Sequence, residues 1–182
     1  MNPWHVEGNR KAQLNMVNGL LGKYERAIYV GAEFVRGGPK GLPIARTHAK
    51  RVDCWEIHRQ NVDEISTLSW FDDIACIDVV DAVNNGWLKP YDLLVWYHGP
   101  GHLPYAKAIG VLDAMMSHEH TALVIGCPFG VFLQPRWIVE KNPHNEHPSW
   151  LLPEDFSRLG FEVSVCGQIG GKRAGILAWR IP

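Results

Sequence analysis

Apolar residues along the chain follow two spacings, and these predict helices and strands in turn. Leu14, Val17 and Leu21 have the spacing of an amphipathic helix, which we place at Gln13–Tyr24 within a leading segment 1–25. Short runs rich in β-branched, aromatic and other apolar residues suit a sheet that is buried on both faces. Five such runs predict strands, at Ala27–Val35, Arg51–Ile57, Ile74–Val83, Tyr91–Tyr97 and Thr121–Cys127.

Helical segments separate the predicted strands, and an alternation of this kind predicts a doubly wound, mostly parallel α/β sheet of the Rossmann type. The helices are expected at Ile44–Lys50, His58–Leu68, Tyr105–Met116 and Pro153–Leu159. The last two apolar runs flank a glycine-rich turn and predict an antiparallel strand pair at one edge, at Phe161–Cys166 and Gly175–Ile181.

The length of 182 residues fits a single domain spanning 1–182. Within it, residues 128–150 are rich in Pro and His and show no periodicity. Loops of this length in compact domains are usually functional. We therefore interpret 128–150 as a segment that could close over a substrate as a lid, with Phe129, His144, His147 and Trp150 as its candidate contacts.

Composition narrows the classes of function. A net charge of −1, from 18 basic and 19 acidic residues, argues against a nucleic-acid-binding protein, which needs a basic surface. No apolar stretch is long enough to cross a bilayer, and the N-terminus does not resemble a signal peptide. Four scattered cysteines without CxxC spacing suit free thiols. These features predict a cytoplasmic protein without a membrane partner.

In parallel sheets, ligands bind beyond the carboxyl ends of the strands, so those positions hold the candidate site residues. Gly31 and Ala32 follow Ile28, Tyr29 and Val30, which open the first apolar run, and glycine there permits a sharp turn and close approach of a ligand. Glu33 stands where a GxGxxG pattern has its second glycine, which argues against a pyrophosphate cradle. Glu56 and Ile57 end the second run, and the carboxylate of Glu56 could accept two hydrogen bonds from a ribose diol.

The third and fourth runs end in further polar groups. Asp81 could accept a hydrogen bond from an adenine amino group, and Ala82 would leave room for the ring; Asp78 is the alternative if the strand register differs. Tyr97 and His98 precede a Gly-Pro-Gly turn that leads to His102. His98 is the candidate general base because an imidazole titrates near neutrality, although a packing or capping role is equally open.

Two stretches carry a resemblance to a known family. GHLPYAKAIGVLDAM after the fourth run and NPHNEHPSWLLPEDFSRLGFEV in the C-terminal third resemble segments of class I S-adenosylmethionine (SAM)-dependent methyltransferases, as does the order of elements from Ile28 onward. The resemblance implies SAM as cofactor and methyl transfer to an unidentified acceptor, such as a small molecule. It also implies that Gly31 lies beside the methionine part, that Glu56 holds the ribose, and that Asp81 with Ala82 faces the adenine.

One departure from the family keeps a second interpretation open. The first loop of the family follows the pattern (D/E)-x-G-x-G-x-G, whereas Tyr29–Phe34 here reads YVGAEF and lacks the leading acid and the later glycines. A catalytically degenerate member that binds a ligand or partner is therefore the alternative to an active methyltransferase.

Two further hypotheses have weaker support. The nine histidines show no HExxH or similar spacing, so a metal-dependent hydrolase is disfavoured and no metal ligand is assigned. RNA binding through Lys40, Arg46, Lys50 and Arg51 is also disfavoured, because such a cluster is usually a solvated helix face.

Overall fold

A single mixed sheet organises the protein. The computed structural model describes residues 10–32, 38–39, 41–130, 133, 135–166 and 175–182, with side chains from residue 13 onward. The strands are β1 (Tyr24–Val30), β2 (Ala49–Glu56), β3 (Asp73–Cys76), β4 (Leu93–Tyr97), β5 (Ala122–Pro128), β6 (Glu162–Cys166) and β7 (Gly175–Arg180). Their order is β3-β2-β1-β4-β5-β7-β6, with β1 to β5 parallel and β7 antiparallel to both β5 and β6. The predicted fold class is confirmed, including the antiparallel strand pair near the C-terminus.

Helices cover both faces of this sheet. Alternate residues of a strand point to opposite faces, so β1 contributes Ile28 and Val30 to one apolar core and Ala27 and Tyr29 to the other. The helices are α1 (Arg10–Leu20), α2 (Leu42–His48), α3 (Arg59–Ile65), α4 (Val79–Asn84), α5 (Tyr105–Met116), α6 (Arg136–Lys141) and α7 (Pro153–Arg158). The first core includes α4, α5 and α7, and the second includes α1, α2 and α3.

The third predicted strand is wrong beyond Cys76. The chain turns at Asp78, whose Oδ1 accepts a hydrogen bond from the Val80 backbone N–H at 2.9 Å. This contact caps α4, which occupies most of the segment predicted to continue the strand. The β-branched pair Val79–Val80 favours a strand, but the N-cap contact of Asp78 stabilises a helix at these residues. Asp81 therefore lies in the first turn of α4, and not at a strand end.

Several boundaries also differ from their predicted places. The leading helix ends at Leu20, and Tyr24 already begins β1, so the two elements meet earlier than predicted. The second strand begins at Ala49, directly after His48 ends α2. The segment 128–150, predicted to be irregular, contains α6 and a 3-10 turn at Pro143–Asn145. The predicted turn before β7 and the end of the first predicted strand lie outside the described residues.

None of the helices within the described residues combines the length and the apolar character that a membrane crossing requires.

Close packing of Tyr97 at the end of β4 generates a test of the fold. A Cβ added at Gly126, its register partner on β5, would lie 2.6 Å from Cε2 of the Tyr97 ring. We expect Gly126→Ala to lower the free energy of unfolding by about 1–3 kcal/mol, the usual effect of overpacking. Urea denaturation measures this change.

Gly110→Ala is the matched control, because a Cβ at this position of α5 meets no atom within 4 Å. This change should raise the free energy of unfolding by about 0.5–1 kcal/mol, since alanine is the better helix former. Equal stabilities of the two variants would contradict the packing of Tyr97 described above.

Candidate active site

A cavity of about 310 Å³ opens at the carboxyl ends of β1, β2 and β4. Its walls come from the last residues of these strands, the start of α4, the loop after β4 and residues 142–147. The order of strands reverses direction between β1 and β4, so the crossovers leave on opposite faces and a crevice forms between the strand ends. The predicted location of the ligand crevice therefore coincides with an observed cavity.

The chain leaves β1 through a glycine turn at the cavity. Gly31 has a φ of 74°, a left-handed conformation that a residue with a side chain rarely adopts. Its N–H donates a hydrogen bond to the Trp55 carbonyl at 2.8 Å, which ties the turn to β2. Gly31 thus lines the cavity with backbone alone.

Glu56, the last residue of β2, places a buried carboxylate in the cavity wall. Its Oε1 accepts hydrogen bonds from the His58 backbone N–H at 2.8 Å and from Asn61 Nδ2 at 3.4 Å. Burial raises the pKa of the Glu56 carboxyl above its ordinary value, and these two donors oppose the increase. Both contacts go to Oε1, so Oε2 keeps acceptor capacity for a ligand.

His58 beside Glu56 carries an unsatisfied polar atom. The Nδ1 atom of its ring is buried and has no hydrogen-bond partner among the described residues. A buried polar atom without a partner costs about 1–3 kcal/mol. The centroid of the His58 ring lies 6.2 Å from the centroid of the His144 ring. At least one buried polar atom next to Glu56, Nδ1 of His58, is therefore not satisfied by the described protein.

The acidic residue at the third strand differs from the one predicted first. Asp78, the alternative named from the sequence, lines the cavity between Ile77 and Val79. Asp81 is exposed on α4, and Ala82 is buried in the first core, and neither belongs to the cavity wall. The helix cap at Asp78 explains the difference, because it ends the extended chain before Asp81 is reached.

His98 follows β4 in a left-handed conformation with a φ of 69°. Histidine is among the few non-glycine residues that tolerate this region. Its N–H donates to the Gly126 carbonyl at 2.6 Å, and its ring contacts that of Tyr97, with centroids 5.4 Å apart. The following Gly99 is obligatory, because a Cβ there would overlap the Trp96 indole. Strand β4 thus fixes an imidazole at the cavity wall.

Residues 142–147, which we call the cover segment, complete the cavity wall. Asn142 is buried, and its Oδ1 accepts from the His144 backbone N–H at 3.0 Å, which starts a 3-10 turn. At the other end, the carbonyl of Glu146 accepts from His102 Nδ1 at 2.9 Å. The ring of His147 stacks obliquely on His102, with centroids 4.0 Å apart. The cover segment is therefore held at both ends.

The predicted site residues divide into three groups by position. Seven line the cavity, namely Gly31, Glu56, Ile57, Tyr97, His98, His102 and His147. Five lie outside its wall, namely Ala32, Asp81, Ala82, Phe129 and Trp150. Ala32 is in the second core, Phe129 packs on the first core, and Trp150 is 54% exposed. Glu33 lies outside the described residues.

Three asparagines line the cavity without having been predicted: Asn61, Asn142 and Asn145. Asn61 lies in α3, five positions after Glu56, and donates to its carboxylate. This spacing becomes a usable signal in the sequence only when Glu56 is known to end the strand. Asn142 and Asn145 lie in the NPHN stretch, where Asn-Pro indicates a turn but gives no partner in space.

Across the described residues, no group of three or more His, Cys, Asp or Glu side chains has an arrangement that could hold a metal ion.

Burial of His147 generates a prediction about pH. Desolvation, and secondarily the charge of His102, lowers the pKa of His147 to about 3, from an ordinary value of 6.5. Below pH 6.5 the unfolded chain takes up a proton at this ring while the folded chain does not, so stability falls as pH falls toward 3. We expect the free energy of unfolding to decrease less between pH 7 and pH 5 in His147→Phe than in the wild type.

The exposed His120 provides the control, because His120→Phe leaves the buried ring in place. This variant should keep the pH dependence of the wild type, as followed by urea denaturation at both pH values. If His147→Phe and the wild type lost the same stability on acidification, a neutral buried ring at His147 would be disproved.

Comparison with protein-family models gives no match, and comparison with curated proteins gives none either.

Solved structures share the fold at low sequence identity. A SAM-dependent methyltransferase from Archaeoglobus fulgidus is 15% identical and has a TM-score of 0.60, over 93% of this chain and 92% of that chain. The N-methyltransferase NodS from Bradyrhizobium japonicum WM9, crystallised with S-adenosylhomocysteine (SAH), is 16% identical with a TM-score of 0.59, over 95% and 88%. A protein from Rhodobacter sphaeroides described as a putative Zn-dependent alcohol dehydrogenase is 8% identical with a TM-score of 0.63, over 96% and 90%.

The antiparallel strand β7 lies between β5 and β6 at one edge of an otherwise parallel sheet. The chain shares its fold with solved structures that include SAM-dependent methyltransferases.

Proposed function

We propose that this protein is a SAM-dependent methyltransferase that acts on a small acceptor. The observation that carries the proposal is the buried carboxylate of Glu56, which ends β2 at a cavity bounded by the turn of Gly31. The fold supports it, because solved neighbours include SAM-dependent methyltransferases, two of them crystallised with SAH.

The residues of the cavity fit an adenosyl ligand. Its volume of about 310 Å³ is at the lower end of the usual range for small-ligand pockets, about 300–1,000 Å³. Glu56 would accept hydrogen bonds from the ribose hydroxyls. Asp78 would accept one from the adenine amino group, in the role first expected of Asp81, and Ile57 and Val79 offer apolar surface to the purine. Gly31 would leave room for the methionine part.

The charge of the cavity also suits SAM. Glu56 and Asp78 are acidic, and the described wall contains neither lysine nor arginine. The aromatic rings of Trp55, Trp96 and Tyr97 belong to the same wall. Carboxylates and aromatic faces both stabilise cations, and SAM carries a sulfonium and an ammonium group.

The chemistry asks mainly for positioning. SAM supplies a methyl group activated by its sulfonium, and transfer is an in-line displacement that benefits from alignment and from exclusion of water. His98 would take the proton that the acceptor loses as its nucleophilic atom bonds to the methyl carbon. The hydrogen bond from the His98 N–H to Gly126 fixes the backbone from which this imidazole projects. His102 and His147, at the other end of the wall, would contact the acceptor.

The test is isothermal titration calorimetry with SAH on the wild type and on Glu56→Ala. We expect wild-type binding and at least a tenfold loss of affinity in the variant, because about 1.4 kcal/mol is lost with a carboxylate that bonds two hydroxyls. Glu162→Ala, an exposed carboxylate on β6, is the control and should bind SAH like the wild type. No heat from the wild type, even at millimolar SAH, would overturn the proposed function.

Substitution of His98 tests the catalytic step. His98→Asn keeps a residue that tolerates the left-handed backbone but removes the proton acceptor. With an acceptor found by screening for SAH release, we expect kcat to fall about 10²–10⁴-fold, the usual effect of losing a general base, with SAH affinity changed less than threefold. An unchanged kcat would remove His98 from the reaction.

The first loop favours one competing function, a ligand- or partner-binding module without catalysis, because Glu33 and Val35 stand where the family has its second and third glycines. The same measurements separate the two. Binding of SAH without methyl transfer to any acceptor in a broad screen would favour the module.

A further inference from the structure

We propose that His144 of the cover segment binds the ribose of the adenosyl ligand together with Glu56. This inference rests on the proposed function and deepens it, because it adds a residue from the β5–α7 connection to the nucleoside end of the site. The sequence placed this segment over the acceptor instead.

The position of His144 carries the inference. It lines the same cavity as Glu56, and its ring lies 6.2 Å from that of His58, whose backbone N–H binds the Glu56 carboxylate. Burial raises the pKa of the Glu56 carboxyl, and the His144 ring is among the groups that oppose this rise, so the two side chains lie within electrostatic reach of each other. The cover segment therefore reaches across the crevice to the end of β2.

The backbone around His144 is fixed in this position. Asn142, which is buried, accepts a hydrogen bond from the His144 N–H and donates its own N–H to the Ile138 carbonyl at the end of α6. On the far side, His147 is buried against Gly101, where an added Cβ would lie 2.7 Å from its Nδ1. This fixed backbone holds the exposed His144 side chain at the cavity and lowers the backbone entropy that ligand contact would cost.

The hydrogen-bonding chemistry of a ribose explains why a second group is needed. A carboxylate only accepts, so Glu56 can take the protons of both hydroxyls but cannot satisfy the lone pairs of their oxygens. An imidazole N–H is a donor and can do so. The described cavity wall includes both Glu56 and His144, and the His144 ring lies 6.2 Å from the ring of His58, whose Nδ1 is unsatisfied.

The experiment is a calorimetric cycle with three ligands: SAH, 2′-deoxy-SAH and 3′-deoxy-SAH. We expect His144→Ala to weaken SAH binding about tenfold, as for the loss of one hydrogen bond to a ligand. Against at least one deoxy analogue the same variant should lose less than threefold, because that ligand lacks the hydroxyl which His144 contacts. His144→Gln, which keeps a donor, should recover part of the SAH affinity, and the exposed His120→Ala should behave as the wild type.

The outcomes separate the two proposals. Wild-type protein that does not bind SAH would overturn the proposed function and this inference with it. Wild-type binding of SAH with unchanged affinity in His144→Ala would overturn the inference alone. Equal losses for SAH and both deoxy analogues would also overturn it, since His144 would then only support the shape of the cavity.

Discussion

The site depends on one constraint of the sheet: the order in which successive strands are added reverses between the parallel strands β1 and β4. Strand β1 lies between β2 and β4, and the helices that follow β1 and β4 pack on opposite faces. The two chain exits must diverge, and both do so through left-handed backbone, at Gly31 and at His98. Each exit is anchored by its N–H to the neighbouring strand, Gly31 to β2 and His98 to β5. A polar opening lies between the two apolar cores where these exits separate.

Polar groups in this opening are held by local backbone contacts more than by ion pairs. Glu56 is buried, yet its partners are a backbone N–H and the amide of Asn61. The ion-paired Asp53, also on β2, binds the guanidinium groups of Arg26 and Arg51 instead. A carboxylate already neutralised by arginines has little to offer a ligand, whereas Glu56 retains an oxygen and its charge. Of the two buried acids on β2, Asp53 is thus paired with arginines within the fold, and Glu56 is the one available to the proposed ligand.

The sequence predicted the elements whose pattern is regular. Helix α5 was predicted to the residue, and the apolar runs of β4 and β5 within two positions, because their periodicity and burial are continuous. The start of α4 was not predicted, since the β-branched pair Val79–Val80 outweighed the capping potential of Asp78. The cover segment could not be placed either. Its position next to Glu56 is a tertiary contact between residues far apart in the chain, and no local spacing encodes it.

The positions of the polar side chains in the cavity wall indicate which end of an adenosyl ligand the proposed site would bind most strongly. The described residues between β1 and α2 contribute Gly31 and Pro39, neither of which has a polar side chain, whereas the chain after β2 and β3 contributes the carboxylates of Glu56 and Asp78. The cover segment adds His144 to that side. Carboxylates and imidazoles that are already positioned give directional hydrogen bonds at a low entropic cost. Recognition in the proposed site is thus centred on the nucleoside end, which lets a first loop without the family's glycines coexist with binding of an adenosyl ligand.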